Sequence, residues 1–137
     1  MTLIKKAIAV AAVAAASLTG LVAGASPAAA ATYGGECGSG YSVVNSAPIG
    51  SVGTVFLTYN SSNGYNCVVA KRNSVGSAVL IEAGLAVSPV GGHWTEFDGG
   101  YFTSYAGPIR LHAAGRCVDW MGRINGVEGG KRGTNCG

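Results

Sequence analysis

The sequence predicts an all-β fold: a small sandwich or barrel of about five to seven short antiparallel strands, stapled by disulfides and preceded by a cleaved signal helix. Three observations carry this. Apolar residues alternate with polar ones in short runs, the period of a half-buried strand. Glycines and asparagines separate those runs, with 23 glycines in 137 residues. All four cysteines follow a leader-like start.

That start comes first in the chain. Lys5 and Lys6 give a positive beginning, Ala7 to Val22 is mostly apolar, and Ala28-Ala29-Ala30 offers small residues for cleavage. This is the layout of a secretory signal peptide over residues 1–30, leaving residues 31–137 as one secreted domain. An even number of cysteines in a small exported chain implies cross-links. Four cysteines allow three connectivities. Cys37–Cys67 and Cys117–Cys136 is favoured because each pair lies within one half of the chain.

Thr54 to Tyr59 alternates, with Val55, Leu57 and Tyr59 on one face. Asn60 to Tyr65 reads as a hairpin loop, since Asn and Gly tolerate turn conformations. Asn66 to Lys71 returns as the next strand, with Cys67 near its start. Ser77 to Val87 is the most buried candidate, with Val79, Ile81, Ala83, Leu85 and Val87 as an apolar face. Gly84 within it suggests a bulge or bend. Tyr101–Ala106 and Ile109–Ala114 read as a hairpin around Gly107-Pro108. That pairing sets Tyr105 opposite Arg110 and Thr103 opposite His112, with Phe102, Ile109, Leu111 and Ala113 toward the core. Cys117 to Trp120 reads as a last short strand, and Gly122 to Gly137 as a turn-rich tail pinned by Cys136.

Composition narrows the functional classes. Lys5 and Lys6 account for two of the three net positive charges, so the mature domain is nearly neutral. Lys71-Arg72 and Lys131-Arg132 are isolated pairs rather than a basic stripe, which argues against nucleic acid. No apolar run after the leader approaches the length of a spanning helix, so no membrane partner is expected.

Few residues suggest chemistry. His93, Glu96 and Asp98 crowd one segment and suit acid–base or metal work. The plainer expectation is a polar surface loop with Trp94 and Phe97 packed inward. Tyr101, Tyr105, Arg110 and His112 suit a sugar- or partner-binding face, since aromatic rings and planar donors stack and hydrogen-bond. No serine lies in G-x-S-x-G, and oxidised cysteines leave no thiol nucleophile. The Asn60-Ser61-Ser62 glycosylation pattern is a chance match in a chain with a bacterial style of leader. No enzyme activity, cofactor or metal is expected.

Two resemblances add to this. Tyr33-Gly-Gly-Glu-Cys37-Gly-Ser-Gly-Tyr41, Gly53-Thr-Val-Phe-Leu-Thr-Tyr-Asn60, Tyr65-Asn-Cys67-Val-Val69, Gly115-Arg-Cys117-Val-Asp-Trp120-Met-Gly122 and Asn135-Cys136-Gly137 resemble the spore-associated protein A family of streptomycetes and related actinobacteria. The resemblance implies a small secreted protein found with the spore surface, and no catalytic residues. Ile109 to Trp120, with Asn125-Gly126 and Asn135-Cys136-Gly137, also looks like one repeat of a ricin-type sugar-binding trefoil. That would give Asp119 the sugar hydroxyls and Trp120 the ring. Three such repeats are expected and only one is visible, and its Q-x-W signature is absent. The leading expectation is a secreted, non-enzymatic protein of the spore or cell surface. The alternatives are a carbohydrate- or cell-wall-binding module, with a glycan as partner, and a secreted protease inhibitor, although the loop Ser88 to Gly92 has no flanking cysteine to brace it.

Overall fold

The computed structural model describes residues 29–137. The signal helix expected over residues 1–30 lies outside them, except for Ala29 and Ala30. Eight strands follow, one more than the upper expectation: β1 Ser42–Ile49, β2 Gly53–Asn60, β3 Tyr65–Arg72, β4 Val79–Val87, β5 Glu96–Phe102, β6 Tyr105–His112, β7 Val118–Ile124 and β8 Val127–Thr134. They form two four-stranded antiparallel sheets, ordered β1-β2-β3-β6 and β5-β4-β7-β8. The fold is therefore an all-β sandwich.

The core lies between the sheets. β2 contributes Val55 and Leu57, β3 Val68 and Ala70, β4 Ile81, Ala83 and Leu85, and β7 Val118, Trp120 and Ile124. Each set is spaced by two, as a pleated strand requires. Gly122 belongs to the same row. A Cβ there would come within 2.8–2.9 Å of Ala70, Ile49 and Val55, so a glycine lets the sheets meet.

The β2–β3 hairpin closes as expected. The Asn60 carbonyl accepts from Gly64 N at 2.8 Å, the Asn60 side chain from Ser62 N, and the Asn63 side chain from Tyr65 N. Both expected disulfides are present, Cys37–Cys67 and Cys117–Cys136.

Four expectations are corrected. Gly107-Pro108 is not a hairpin turn but lies within β6, where these two residues oppose the single Val69 of β3 in a bulge. Gly107 has φ 94°, and a Cβ on it would meet the Val68 carbonyl oxygen at 2.5 Å. The chain instead passes between sheets at Thr103-Ser104, so Tyr105 pairs with Lys71, and Arg110 with Cys67. The inward set survives: Phe102, Ile109, Leu111 and Ala113 all pack on the core. Secondly, Gly84 sits in continuous register, with no bulge. Its missing side chain makes room for Trp94, whose ring atoms would lie 2.7 Å from a Cβ. Thirdly, Phe97 is turned outward and half exposed. Lastly, the tail is a full strand. β7 and β8 are joined by Asn125-Gly126, both at positive φ, the signature of a two-residue hairpin turn.

Candidate functional site

The six residues expected to bind separate onto three parts of the molecule. Tyr105, Arg110 and His112 share the outer face of the first sheet, with Cys67 and Lys71. Arg110 is already engaged there. Its Nη2 donates to the Cys37 carbonyl at 2.9 Å, and the guanidinium lies over Tyr41. His112 meets its cross-strand neighbour Tyr65 edge-on, at 5.4 Å between rings. Tyr101 stands apart on the outer face of the second sheet, 75% exposed.

Asp119 and Trp120 do not reach solvent. Adjacent residues of a strand point to opposite faces. Trp120 enters the core, 0% exposed, and its Nε1 donates to Thr134 Oγ1 at 2.8 Å. Asp119 points the other way but is only 2% exposed, under the segment 88–95. Its Oδ2 accepts from Val90 N at 2.8 Å and its Oδ1 from Gly133 N at 2.7 Å. Burial pushes this carboxyl up, but those two bonds, a bond to the Ser88 side chain and the Arg132 charge outweigh it. The result lies below the ordinary value. Asp119 therefore clamps the loop and tail. The roles that the ricin-type resemblance implies are not met in the structure, because the Trp120 ring lies in the core and the Asp119 carboxylate is bonded to backbone beneath the loop.

Sequence reasoning missed what surrounds Asp119. Arg132 and Gly133 oppose Asp119 in a bulge of β8. That bulge carries the Arg132 guanidinium to 5.0 Å over the Trp94 ring, which also packs close to Gly84. Phe97 lies next to Gly84 in the register, and Tyr101 follows on the same face of β5. Between them Gly99 leaves room for the Phe97 ring, which would stand 2.8 Å from a Cβ. Trp94, Phe97 and Tyr101 thus form an aromatic row on the outer side of the second sheet. Arg123 borders it, paired with Glu82 at 2.5 Å and Glu128 at 2.8 Å. The aromatics spaced by even numbers around the glycine pair in Phe97-Asp-Gly-Gly-Tyr101 were the available signal.

His93, Glu96 and Asp98 do not converge. Period two puts Glu96 and Asp98 on the inward side of β5, and Asp98 Oδ2 accepts from Gly107 N at 2.8 Å. His93 is exposed in the preceding loop. Among the described residues no group of three His, Cys, Asp or Glu side chains is placed to hold a metal.

The first sheet is covered differently. Cys37, Cys67 and Val69 form a small outer cluster with Tyr33 and Tyr41, and Tyr33 packs on Phe56. Lys71 Nζ reaches Glu36 at 2.6 Å and the Thr32 carbonyl at 2.9 Å. Burial raises the Glu36 carboxyl, but its bonds to Lys71 and to backbone N–H groups prevail and leave it lowered. A third feature is a cavity of about 230 Å³ at the end of the sandwich near the Cys117–Cys136 bridge, lined by Val44, Tyr59, Asn66, Ala113 and Asn135 among others.

Fold and fastenings together define a class: a two-sheet β-sandwich in which segments flanking the strands are tied back by disulfides. The chain is 47% identical over 121 residues to spore-associated protein A of Streptomyces coelicolor, a match spanning 88% of this chain and 77% of that protein. It belongs to the spore-associated protein A family. No family model and no solved structure matches it.

Proposed function

We propose that this protein is a secreted, non-enzymatic component of the spore or cell surface. Membership of the family carries the reading. The disulfides support it, because such bonds persist in oxidising surroundings outside the cell. The polar groups also support a passive role. Asp98, Asp119 and Arg110 are each committed to a backbone partner within the fold. The test is direct. Purified protein is mixed with washed spores, washed mycelial walls and an inert polymer, then sedimented. Retention on spores or walls through a high-salt wash is expected. Recovery of the protein wholly in the supernatant overturns the proposal.

The exposed aromatic row favours a second reading, a carbohydrate- or wall-binding module. Rings on a flat face stack on sugar rings, and Tyr101 and Phe97 are the most open large aromatics of the described chain. This reading moves the glycan partner away from Asp119 and Trp120, and from Tyr105, Arg110 and His112 on the first sheet. Of the residues first considered for it, it keeps Tyr101. Loss of wall retention in Tyr101→Ala or Phe97→Ala supports it. Unchanged retention in both assigns attachment to another surface.

A further inference from the structure

The cavity near the Cys117–Cys136 bridge has the features of a small-molecule site. Tyr59 and Asn66 form one side, facing each other in the β2–β3 register on the inner face of the first sheet. Ala113 and the backbone of Gly115 follow β6. Val44 and Asn135 hold the rim. Val44 is the extra residue of a bulge in β1 and is 43% exposed. Asn135, at φ 56°, donates from Nδ2 to the Val44 carbonyl at 3.5 Å and accepts from Asn45 Nδ2 at 3.0 Å. The rim is therefore held from two sides before any ligand arrives. No charged side chain lines the cavity among the described residues.

Asn66 supplies the polar contact. It is 3% exposed, and its Nδ2 donates to the Thr58 carbonyl at 3.0 Å. A carbonyl only accepts, which fixes which end of the amide is nitrogen. The Oδ1 takes no hydrogen bond from any described residue. Yet among those residues every fully buried side-chain polar atom has a partner. The Oδ1 therefore opens onto the cavity, an acceptor held in place by its own amide and able to take a donor from a ligand.

We propose that this cavity binds the N-acyl end of a small neutral ligand. The ligand amide N–H donates to Asn66 Oδ1, the acyl methyl packs on Val44 and Ala113, and the remainder lies against the Tyr59 ring. A volume of about 230 Å³ suits one sugar-sized unit rather than a larger molecule. The proposal goes beyond surface association and does not depend on it. The same chemistry could come from an N-acetylated amino sugar or from an N-acylated amino acid.

The test is an NMR titration of the purified, oxidised protein with N-acetylglucosamine, N-acetylalanine methylamide and glucose. Both N-acetyl compounds, or either one, should shift the Asn66 side-chain amide and the Ala113 and Gly115 backbone amides. A Kd of about 1 mM is expected for ligands of this size. A response to one compound only supports the site and identifies the source. Glucose should leave those signals in place. An equal response to glucose, or none at these positions up to about fifty times that concentration, overturns the proposal. Asn66→Ala should weaken binding about tenfold. Because Asn66 also bonds to Thr58, Val44→Trp serves as a second variant, blocking the rim from an exposed position. Loss of the shifts in a folded Val44→Trp supports the site, and unchanged binding sinks it.

Discussion

Residues 31–41 cover the outer face of the first sheet, and residues 88–95 cover part of the outer face of the second. The first cover is held by a disulfide, an aromatic cluster and the Glu36–Lys71 pair. The second has no covalent tie. One buried carboxylate, Asp119, holds it at Val90, and one stacked pair, Arg132 on Trp94, lies over it. Covered sheet faces differ from open ones in sequence too. Phe56, Val69 and Cys67 are apolar residues facing away from the main core, and they require a lid. The glycines of β5 require none and leave the Phe97–Tyr101 row in the open. The first face is closed by its cover, and the second keeps Phe97 and Tyr101 exposed.

The largest effect expected from breaking this contrast is on the covalent side. Cys37→Ala with Cys67→Ala removes a bridge across a separation of 30 residues and should cost about 3.6 kcal/mol in thermal or denaturant unfolding. A loss under about 1 kcal/mol would show that packing alone holds the N-terminal cover. Next comes Asp119→Ala, which leaves two backbone N–H groups unpaired beneath the loop and should cost about 3 kcal/mol. Hydrogen exchange should rise at Val90 and Gly133 and stay constant at Cys37. Equal protection at Val90 would mean the loop is held by something other than this carboxylate.

Acid should affect both covers. Asp119 and Glu36 are lowered from ordinary values of 3.8 and 4.5. A depressed native pKa gives stabilisation that is complete above the ordinary value and is lost as pH falls through the native one. The melting temperature should therefore hold steady above about pH 5 and decline below about pH 4. Asp119→Asn should flatten part of that decline, and Glu36→Gln a smaller part. A wild-type decline unchanged in both variants would place the acid sensitivity elsewhere. The smallest effect belongs to Arg132→Ala, about 0.5–1 kcal/mol for an exposed cation over a ring. Trp94 fluorescence should change with it, and an unaltered spectrum would count against the stack.

Much of this fold was legible in the sequence. Alternation placed β2, β3 and β4, and it placed the inward residues of β6 even though the hairpin proposed there was wrong. Period two survives a misjudged turn, because a two-residue bulge against one partner re-registers the strand. Gly107-Pro108 misled because glycine and proline mark bulges as well as turns. The tail misled for a related reason. Gly129 lies so close to the Pro48 carbonyl of β1 that no Cβ fits, so glycines that resemble loop composition are there for close approach. Asp119 and Trp120 looked like a binding pair because the segment around Cys117 resembles a ricin-type repeat. Nothing local revealed that one faces the core and that the other lies under a loop 29 residues away in sequence.

The order of the cysteines has one more consequence. The first pairs with the second and the third with the fourth, so the two closed rings follow one another without overlapping. A chain oxidised as it emerges, N-terminus first, can close Cys37 onto Cys67 before Cys117 has appeared. No wrong partner is present at that moment, and each native bond is the first one available. In such a chain, correct cross-linking would follow from timing along the sequence.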